Sequence, residues 1–124
     1  MVRIDEVVWA EEVERFAEGS SARVAAQRER RSLEQIGINR SALLRCDAEG
    51  ADGTRLPGLV KTYVPIGDGP PSARPFGFVL APALDAGGLL YLEVVAFGDR
   101  HPRPGTRSVY QRAHKRVHGR YPDQ

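Results

Sequence analysis

The fold is most clearly indicated by FGFVLAPAL-DAGG-LLYLEVVAF, residues 76–97. Two runs of apolar and β-branched residues, 76–84 and 89–97, are joined by the turn sequence at 85–88. Two such runs around a short glycine-rich turn predict a β-hairpin. The second run is almost continuously apolar, which is typical of a central strand buried on both faces. We therefore expect an antiparallel sheet built around residues 76–97.

Upstream of this hairpin the pattern predicts one strand followed by helices. Residues 2–9 (VRIDEVVW) are rich in β-formers and predict a first strand. Residues 10–18 place apolar side chains on one face and predict a short helix. Ser20 or Ser21 can cap a second helix that runs to about Ile36.

The remaining segments predict a turn, a strand and a last helix. Gly37 supplies the stop of the second helix, and residues 39–44 can form a further helical turn. After a loop over 47–54, residues 56–66 predict a strand, followed by a turn-rich connection over 67–75. A last helix is expected from about Thr106 or Ser108 to about Gly119. The order strand–helix–helix–three strands–helix predicts one α+β domain over residues 1–124, with helices packed on one face of an antiparallel meander.

Charge is distributed unevenly along the chain. Residues 99–124 hold seven Arg and Lys against two Asp, a net charge of +5, whereas residues 1–98 have a net charge of −3. The three histidines, His101, His114 and His118, lie in the basic segment. This asymmetry predicts a polyanion partner, although a well-solvated terminal helix would have the same composition.

Neither a disulfide nor a membrane segment is expected. Cys46 is the single cysteine, so we expect a small buried hydrophobic side chain and no cysteine-rich metal site. Acidic residues interrupt the N-terminal segment, and no apolar run approaches the roughly 18 residues that span a bilayer. The composition predicts a soluble, cytoplasmic protein with no membrane partner.

The residues with the clearest chemical potential follow the second hairpin run. The strand is expected to end at Gly98 and to deliver Arg100 and His101 to the rim of the sheet. After a proline- and glycine-rich loop, Tyr110 returns near that rim at the start of the last helix. Arginine can offset charge on a pentacovalent phosphate, while histidine or tyrosine can transfer protons. Together these residues could bind and cleave a phosphodiester.

The expected core strand ends in Gly98-Asp99-Arg100, and it is followed by Val109-Tyr110 and the basic stretch Ala113-His114-Lys115-Arg116. This pattern resembles the RelE/ParE superfamily of toxins from bacterial toxin–antitoxin pairs. The predicted order of strands and helices is similar as well. The resemblance implies a RelE/ParE-like fold. In the RelE-like branch it also implies cleavage of messenger RNA in the ribosomal A site, without a metal, by activation of the ribose hydroxyl beside the scissile phosphate.

The same resemblance implies roles for individual residues. Arg100 corresponds to the arginine after the last strand, Tyr110 to the C-terminal aromatic residue, and Lys61 to the basic residue of the first meander strand. The second-strand arginine has no direct counterpart, because the aromatic-arginine pair reads Phe76-Gly77 here; Arg74 lies close to that position. His101 is added to the candidate catalytic set on the basis of its position, not of the family pattern.

Simpler interpretations remain open for the same residues. Arg100 could pair with a carboxylate, Lys61 could face water, and Tyr110 could close the core. Further phosphate contacts are predicted at Arg74, Arg103, Arg107, Arg112, Lys115 and Arg116. His114 and His118 have a spacing that can hold zinc, but no third ligand is evident and the neighbouring cations oppose a metal; no metal or cofactor is expected.

Two classes of function therefore follow from the sequence. The first is an endoribonuclease toxin that cleaves mRNA, with the ribosome and a cognate antitoxin protein as partners. The second is a protein without catalytic activity, which either inhibits by binding, as the ParE branch does with DNA gyrase, or is a nucleic-acid-binding module with no toxicity.

Overall fold

A computed structural model describes residues 1–35, 43–64, 66 and 75–124. Its elements, in chain order, are β1 (Val2–Arg3), α1 (Glu6–Glu12), α2 (Ser21–Glu34), β2 (Leu44–Arg45), β3 (Val60–Val64), β4 (Phe76–Leu84), β5 (Leu90–Asp99) and α3 (Val109–His118). The predictions for Gly37, for residues 39–42, for residues 67–74 and for the end of the second helix at Ile36 lie outside the described residues.

The five strands form one mixed sheet in the order β1-β5-β4-β3-β2. Strands β2 to β5 pair antiparallel with their sequence neighbours, which confirms the predicted meander. β1 pairs with β5 in parallel, but only opposite Leu92 and Glu93. The hairpin of β4 and β5 turns at residues 85–88, as the sequence predicts.

Helices cover both faces of the sheet, so the prediction that they share one face is wrong. α1 and α2 pack on the face that carries Phe78 and Phe97, whereas α3 packs on the face that carries Val79. A register shift beside Val79 leaves Val95 as an extra residue in β5. Such a bulge breaks the alternation of side chains, and Val95 and Ala96 consequently both pack beneath α3.

The N-terminal strand is much shorter than predicted, and the first helix begins earlier. Asp5 accepts hydrogen bonds from the backbone N–H groups of Val7 and Val8, at 2.8 and 3.3 Å, and caps α1 at its N-terminus. This cap outweighs the β-preference of the valines that follow it. Trp9 therefore belongs to a helix, and its ring stacks on Phe78 at 5.7 Å.

Two further boundaries differ from the sequence prediction. Leu44 lies in the short strand β2, not in a helical turn. The predicted strand over 56–66 begins only at Val60, because Pro57 and Gly58 form a turn in which Gly58 has a φ of +79°.

The predicted last helix is confirmed. Ser108 caps it in a capping box with Gln111, and Gly119 ends it in a left-handed conformation. The longest described helix is α2, with 14 residues. Within the described ranges no helix is long and apolar enough to cross a membrane.

Candidate nucleic-acid interface

The strand register places Lys61 and Tyr63 on one face of the sheet. Lys61 lies opposite Val79, and Tyr63 lies opposite Gly77. Val79 belongs to the core beneath α3, and side chains two residues apart in a strand share a face. Lys61 and Tyr63 therefore point to the α3 side of the sheet.

Arg100, Tyr110, Lys61 and Tyr63 form what we call the Arg100 cluster. The Arg100 guanidinium carbon lies 3.8 Å from the centroid of the Tyr63 ring, and its Nε donates a 3.1 Å hydrogen bond to the Tyr110 hydroxyl. The Lys61 ammonium nitrogen lies 5.3 Å from the Tyr110 ring centroid and 6.0 Å from that of Tyr63. The π-faces of the two rings attract both cations, so the rings hold two positive charges close together.

Gly77 is part of this arrangement. A Cβ atom at this position would lie 3.5 Å from Cγ and Cδ of Arg100 and 3.1 Å from the Thr62 carbonyl oxygen. The missing side chain thus leaves the space across which Arg100 extends toward Tyr63. The arginine that the family resemblance places on the second strand is absent at Gly77, and the Arg100 side chain lies over that position.

A cleft of about 650 Å³ opens in front of the Arg100 cluster. Lys61, Arg100 and Tyr110 line it, and residues 47–56 and 101–106 contribute to its walls. His101 and Arg103 line the cleft and are exposed. Of the predicted candidate residues, the structure thus brings together Lys61, Arg100, His101, Tyr110 and Arg103 around one concavity.

Arg112 and Arg116, predicted as phosphate contacts, point away from this cleft and toward Glu12. Glu12 is only 2% exposed; Arg112 donates to both of its oxygens, at 3.0 and 2.6 Å, and Arg116 donates at 3.2 Å. Burial alone would raise the pKa of Glu12, but the hydrogen bond and charge of Arg112, the Phe97 N–H and the charge of Arg15 together lower it. These contacts engage both arginines in an internal ion-pair network.

This network also covers the edge of β5 that β1 leaves unpaired. Glu12 accepts the Phe97 N–H at 3.1 Å, Arg15 donates to the Phe97 carbonyl at 2.8 Å, and Arg116 donates to the Val95 carbonyl at 3.1 Å. An exposed strand edge can pair with another chain. Side chains take the place of a neighbouring strand here.

Two other predicted phosphate contacts are engaged by residues that follow α3. Arg107 pairs with Asp123 at 2.8 Å. Its guanidinium lies 3.9 Å from the Tyr121 ring centroid, and the Lys115 ammonium lies 4.6 Å from the same centroid. The last predicted contact, Arg74, lies outside the described residues. The basic side chains of residues 99–124, which the sequence predicts as one surface, therefore lie at several places on the protein.

The two histidines of α3 clamp one backbone residue, Arg55, in the loop that walls the cleft. His114 Nδ1 accepts the Arg55 N–H at 3.0 Å, and His118 Nε2 lies 2.8 Å from the Arg55 carbonyl oxygen. Within the part of the chain that the structure describes, no group of three or more His, Cys, Asp or Glu side chains could hold a metal ion. His114 and His118, four positions apart on α3, thus hold the loop at Arg55 in place.

Replacing His114 by alanine should remove this acceptor and cost about 1–3 kcal/mol of stability, because the Arg55 N–H loses its partner. Burial and then the charges of His118, Arg120 and Arg55 lower the pKa of His114. The unfolded chain therefore binds more protons than the folded chain. The stability that His114 contributes is lost as the pH falls below about 6.5 and through the folded pKa.

Urea unfolding at pH 7.5 and 5.5 measures both effects. The difference in stability between the wild type and His114→Ala should shrink at the lower pH. His101→Ala, which alters the exposed histidine, should unfold like the wild type at both pH values. A difference between the wild type and His114→Ala that stays constant with pH contradicts the clamp.

Cys46 lies close to the cleft but is unsuited to act as a nucleophile. Burial raises the pKa of its thiol to about 11, against a smaller opposing effect of Lys61. A thiol with this pKa stays protonated at neutral pH. Its 8% exposure agrees with the predicted role as a small buried side chain.

No known family model, curated protein or solved structure matches this chain. Two cations on aromatic rings, an exposed histidine and a further arginine can bind a polyanion, and the hydroxyl of Tyr110 and the ring of His101 add groups that can exchange protons.

Proposed function

We propose that this cleft binds RNA and that the protein is a metal-independent endoribonuclease, the toxin of a RelE/ParE-type toxin–antitoxin pair. The observation that carries the proposal is the Arg100 cluster, in which Tyr63 and Tyr110 hold the charges of Arg100 and Lys61 at a concave surface. Two fixed cations are suited to a phosphodiester, and the partly exposed rings beside them are suited to single-stranded bases.

The proposed cleavage uses the Arg100 cluster and His101. The ribose 2′-oxygen attacks the neighbouring phosphorus while the bond from phosphorus to the 5′-oxygen breaks, which leaves a cyclic phosphate and a 5′-hydroxyl. Lys61 and Arg100 stabilise the extra negative charge of the transition state. His101 accepts the proton of the 2′-hydroxyl. Tyr110 gives a proton to the leaving oxygen, since its own O–H remains available while its oxygen accepts from Arg100.

The proposed partners follow from the proposal that the protein is the toxin of a toxin–antitoxin pair. The substrate is mRNA, bound on the ribosome, and a cognate antitoxin protein covers the cleft until it is degraded. The glycine at position 77 favours a second candidate, a non-catalytic inhibitor of DNA gyrase, because the family's second-strand arginine is missing there.

Expression in a growing bacterium separates these functions. The wild type should arrest growth and fragment transcripts, and the double variant Lys61→Ala/Arg100→Ala should do neither. Arg31→Ala, an exposed change on α2, serves as the control and should behave as the wild type. Arrest with intact transcripts and trapped gyrase supports the second candidate, and continued growth with the wild type contradicts both.

RNA affinity should depend steeply on salt. Contact with about 4–6 phosphates of a single strand gives a slope of log K against log[salt] of roughly −3 to −4. Arg103→Ala should lower the magnitude of this slope by about 0.7, since one phosphate contact is lost, whereas Arg31→Ala should leave it unchanged. Fluorescence anisotropy with a labelled single-stranded RNA over 50–300 mM KCl measures this; a flat response contradicts the RNA surface.

A further inference from the structure

A second concavity, of about 410 Å³, lies at the C-terminal end of α3. We call it the His118 pocket, and it is lined by Gly53, Arg55, His114, His118, Arg120 and Pro122. The loop before β3 separates it from the cleft: Thr54 and Leu56 line the cleft, whereas Gly53 and Arg55 line the His118 pocket. Its volume falls in the range of small-ligand sites, about 300–1,000 Å³.

The charge of this pocket is positive. Its lining contains Arg55 and Arg120 and no carboxylate, and within the described residues neither arginine forms an ion pair. The nearby Asp52 lines the cleft instead. Its carboxylate accepts the N–H of Thr54 at 3.2 Å and the hydroxyl of Thr54 at 2.8 Å.

The end of α3 opposes an anion only weakly. The carbonyl groups at a helix C-terminus carry about half of a negative elementary charge, and the N–H of Gly119 donates to one of them, that of Lys115. Arg55 and Arg120 contribute two full positive charges. The net field in the pocket therefore favours an anion.

The two histidines differ in what they can offer to a ligand. His114 accepts the Arg55 N–H with Nδ1, so a proton on this nitrogen would break that hydrogen bond. His118 faces the Arg55 carbonyl with Nε2, which must therefore donate. The other ring nitrogen of His118, Nδ1, takes no part in this bond.

We propose that the His118 pocket binds a phosphate group, held by the guanidinium groups of Arg55 and Arg120 and by His118. Two guanidinium groups and an imidazole match the oxygens of phosphate in charge and in hydrogen-bonding capacity. The phosphate belongs either to a small free ligand or to an RNA strand. The site is separate from the cleft, and it stands whether or not the protein cleaves RNA.

The three histidines allow a direct test on the full chain with inorganic phosphate as the probe. In a phosphate titration at constant pH and ionic strength, the ring NMR signals of His118 and His114 should shift saturably. Arg55→Gln/Arg120→Gln should weaken this binding at least tenfold, while Arg31→Gln should leave it unchanged. The double variant should fold normally, because the histidines clamp the backbone of Arg55 and not its side chain.

Each other outcome has a defined meaning. Absence of a saturable shift, or equal binding by the double variant and Arg31→Gln, overturns the proposal. A shift confined to His101 places phosphate in the cleft and also overturns it. If the double variant also binds single-stranded RNA more weakly, the phosphate comes from RNA; if only inorganic phosphate binding is lost, a small ligand is indicated.

Discussion

Replacing Glu12 by glutamine should lower the free energy of unfolding by about 3 kcal/mol or more. The side chain of Glu12 is almost completely buried and pairs with Arg112 and Arg116. Breaking a buried pair on one side leaves the partner charge without compensation, and here that partner is Arg112, since Arg116 keeps its contact with Glu11. The substitution also weakens the acceptor of the Phe97 N–H at the edge of β5.

The neighbouring Glu11 provides a matched control. It pairs with the same Arg116, at 2.8 Å, but its side chain is 54% exposed. Because water screens such a pair, Glu11→Gln should cost less than about 1 kcal/mol. Chemical denaturation of both variants gives the comparison, and equal losses would rule out a special role for the buried carboxylate.

The Glu12 effect should depend on pH in a defined direction. The folded pKa of Glu12 is lowered, so its stabilising contribution is complete above the unfolded pKa of about 4.3 and is lost as the pH falls through the folded value. The stability difference between the wild type and Glu12→Gln should therefore narrow below about pH 4.

In the proposed cleavage reaction, replacing Arg100 by lysine should lower the rate by about 100-fold or more, although the positive charge is kept. Lysine has no planar group to rest on Tyr63 while donating to Tyr110, so the charge is no longer held in place. Loss of one preorganised donor to a developing oxyanion costs about 10²–10³ in rate.

Three variants separate charge from geometry at this position. Arg100→Lys should keep the salt dependence of RNA binding, whereas Arg100→Ala should lower its slope by about 0.7. Arg31→Ala should match the wild type in both measurements. Single-turnover cleavage of ribosome-bound mRNA gives the rates, and a fully active Arg100→Lys variant contradicts the proposed role of the tyrosines.

The sequence predicts the centre of this fold better than its edges. The hairpin of β4 and β5 and the caps of α3 at Ser108 and Gly119 are local signals, and the structure confirms them. The start of α1 differs from the predicted strand over residues 2–9, because the cap at Asp5 outweighs the β-preference of the valines. The two-residue strand β2 is too short to leave a hydrophobic period.

The site was only partly accessible from the sequence. Lys61, Arg100 and Tyr110 were predicted as a group, and the structure places them at one cleft. The second aromatic ring of the Arg100 cluster, Tyr63, is missing from the prediction, although it follows Lys61 by two residues and therefore shares its face.

The contact of Arg112 and Arg116 with Glu12 joins residues about a hundred positions apart. No local sequence pattern indicates a contact between residues so far apart in the chain. A weaker signal was present, since Arg116 follows Val109 by seven positions and Ala113 by three, on the flank of the buried face of α3.

The separation along the chain between Glu12 and its partners also determines when the ion-pair network can form during translation. Arg112 is made 100 residues after Glu12. At about 5–20 residues per second a ribosome needs roughly 5–20 seconds to translate that interval. Throughout this time the nascent chain holds a carboxylate that has no arginine from α3 to neutralise it. The native ion-pair network, and with it the closed edge of the sheet, can form only after almost the whole of this sequence has been translated.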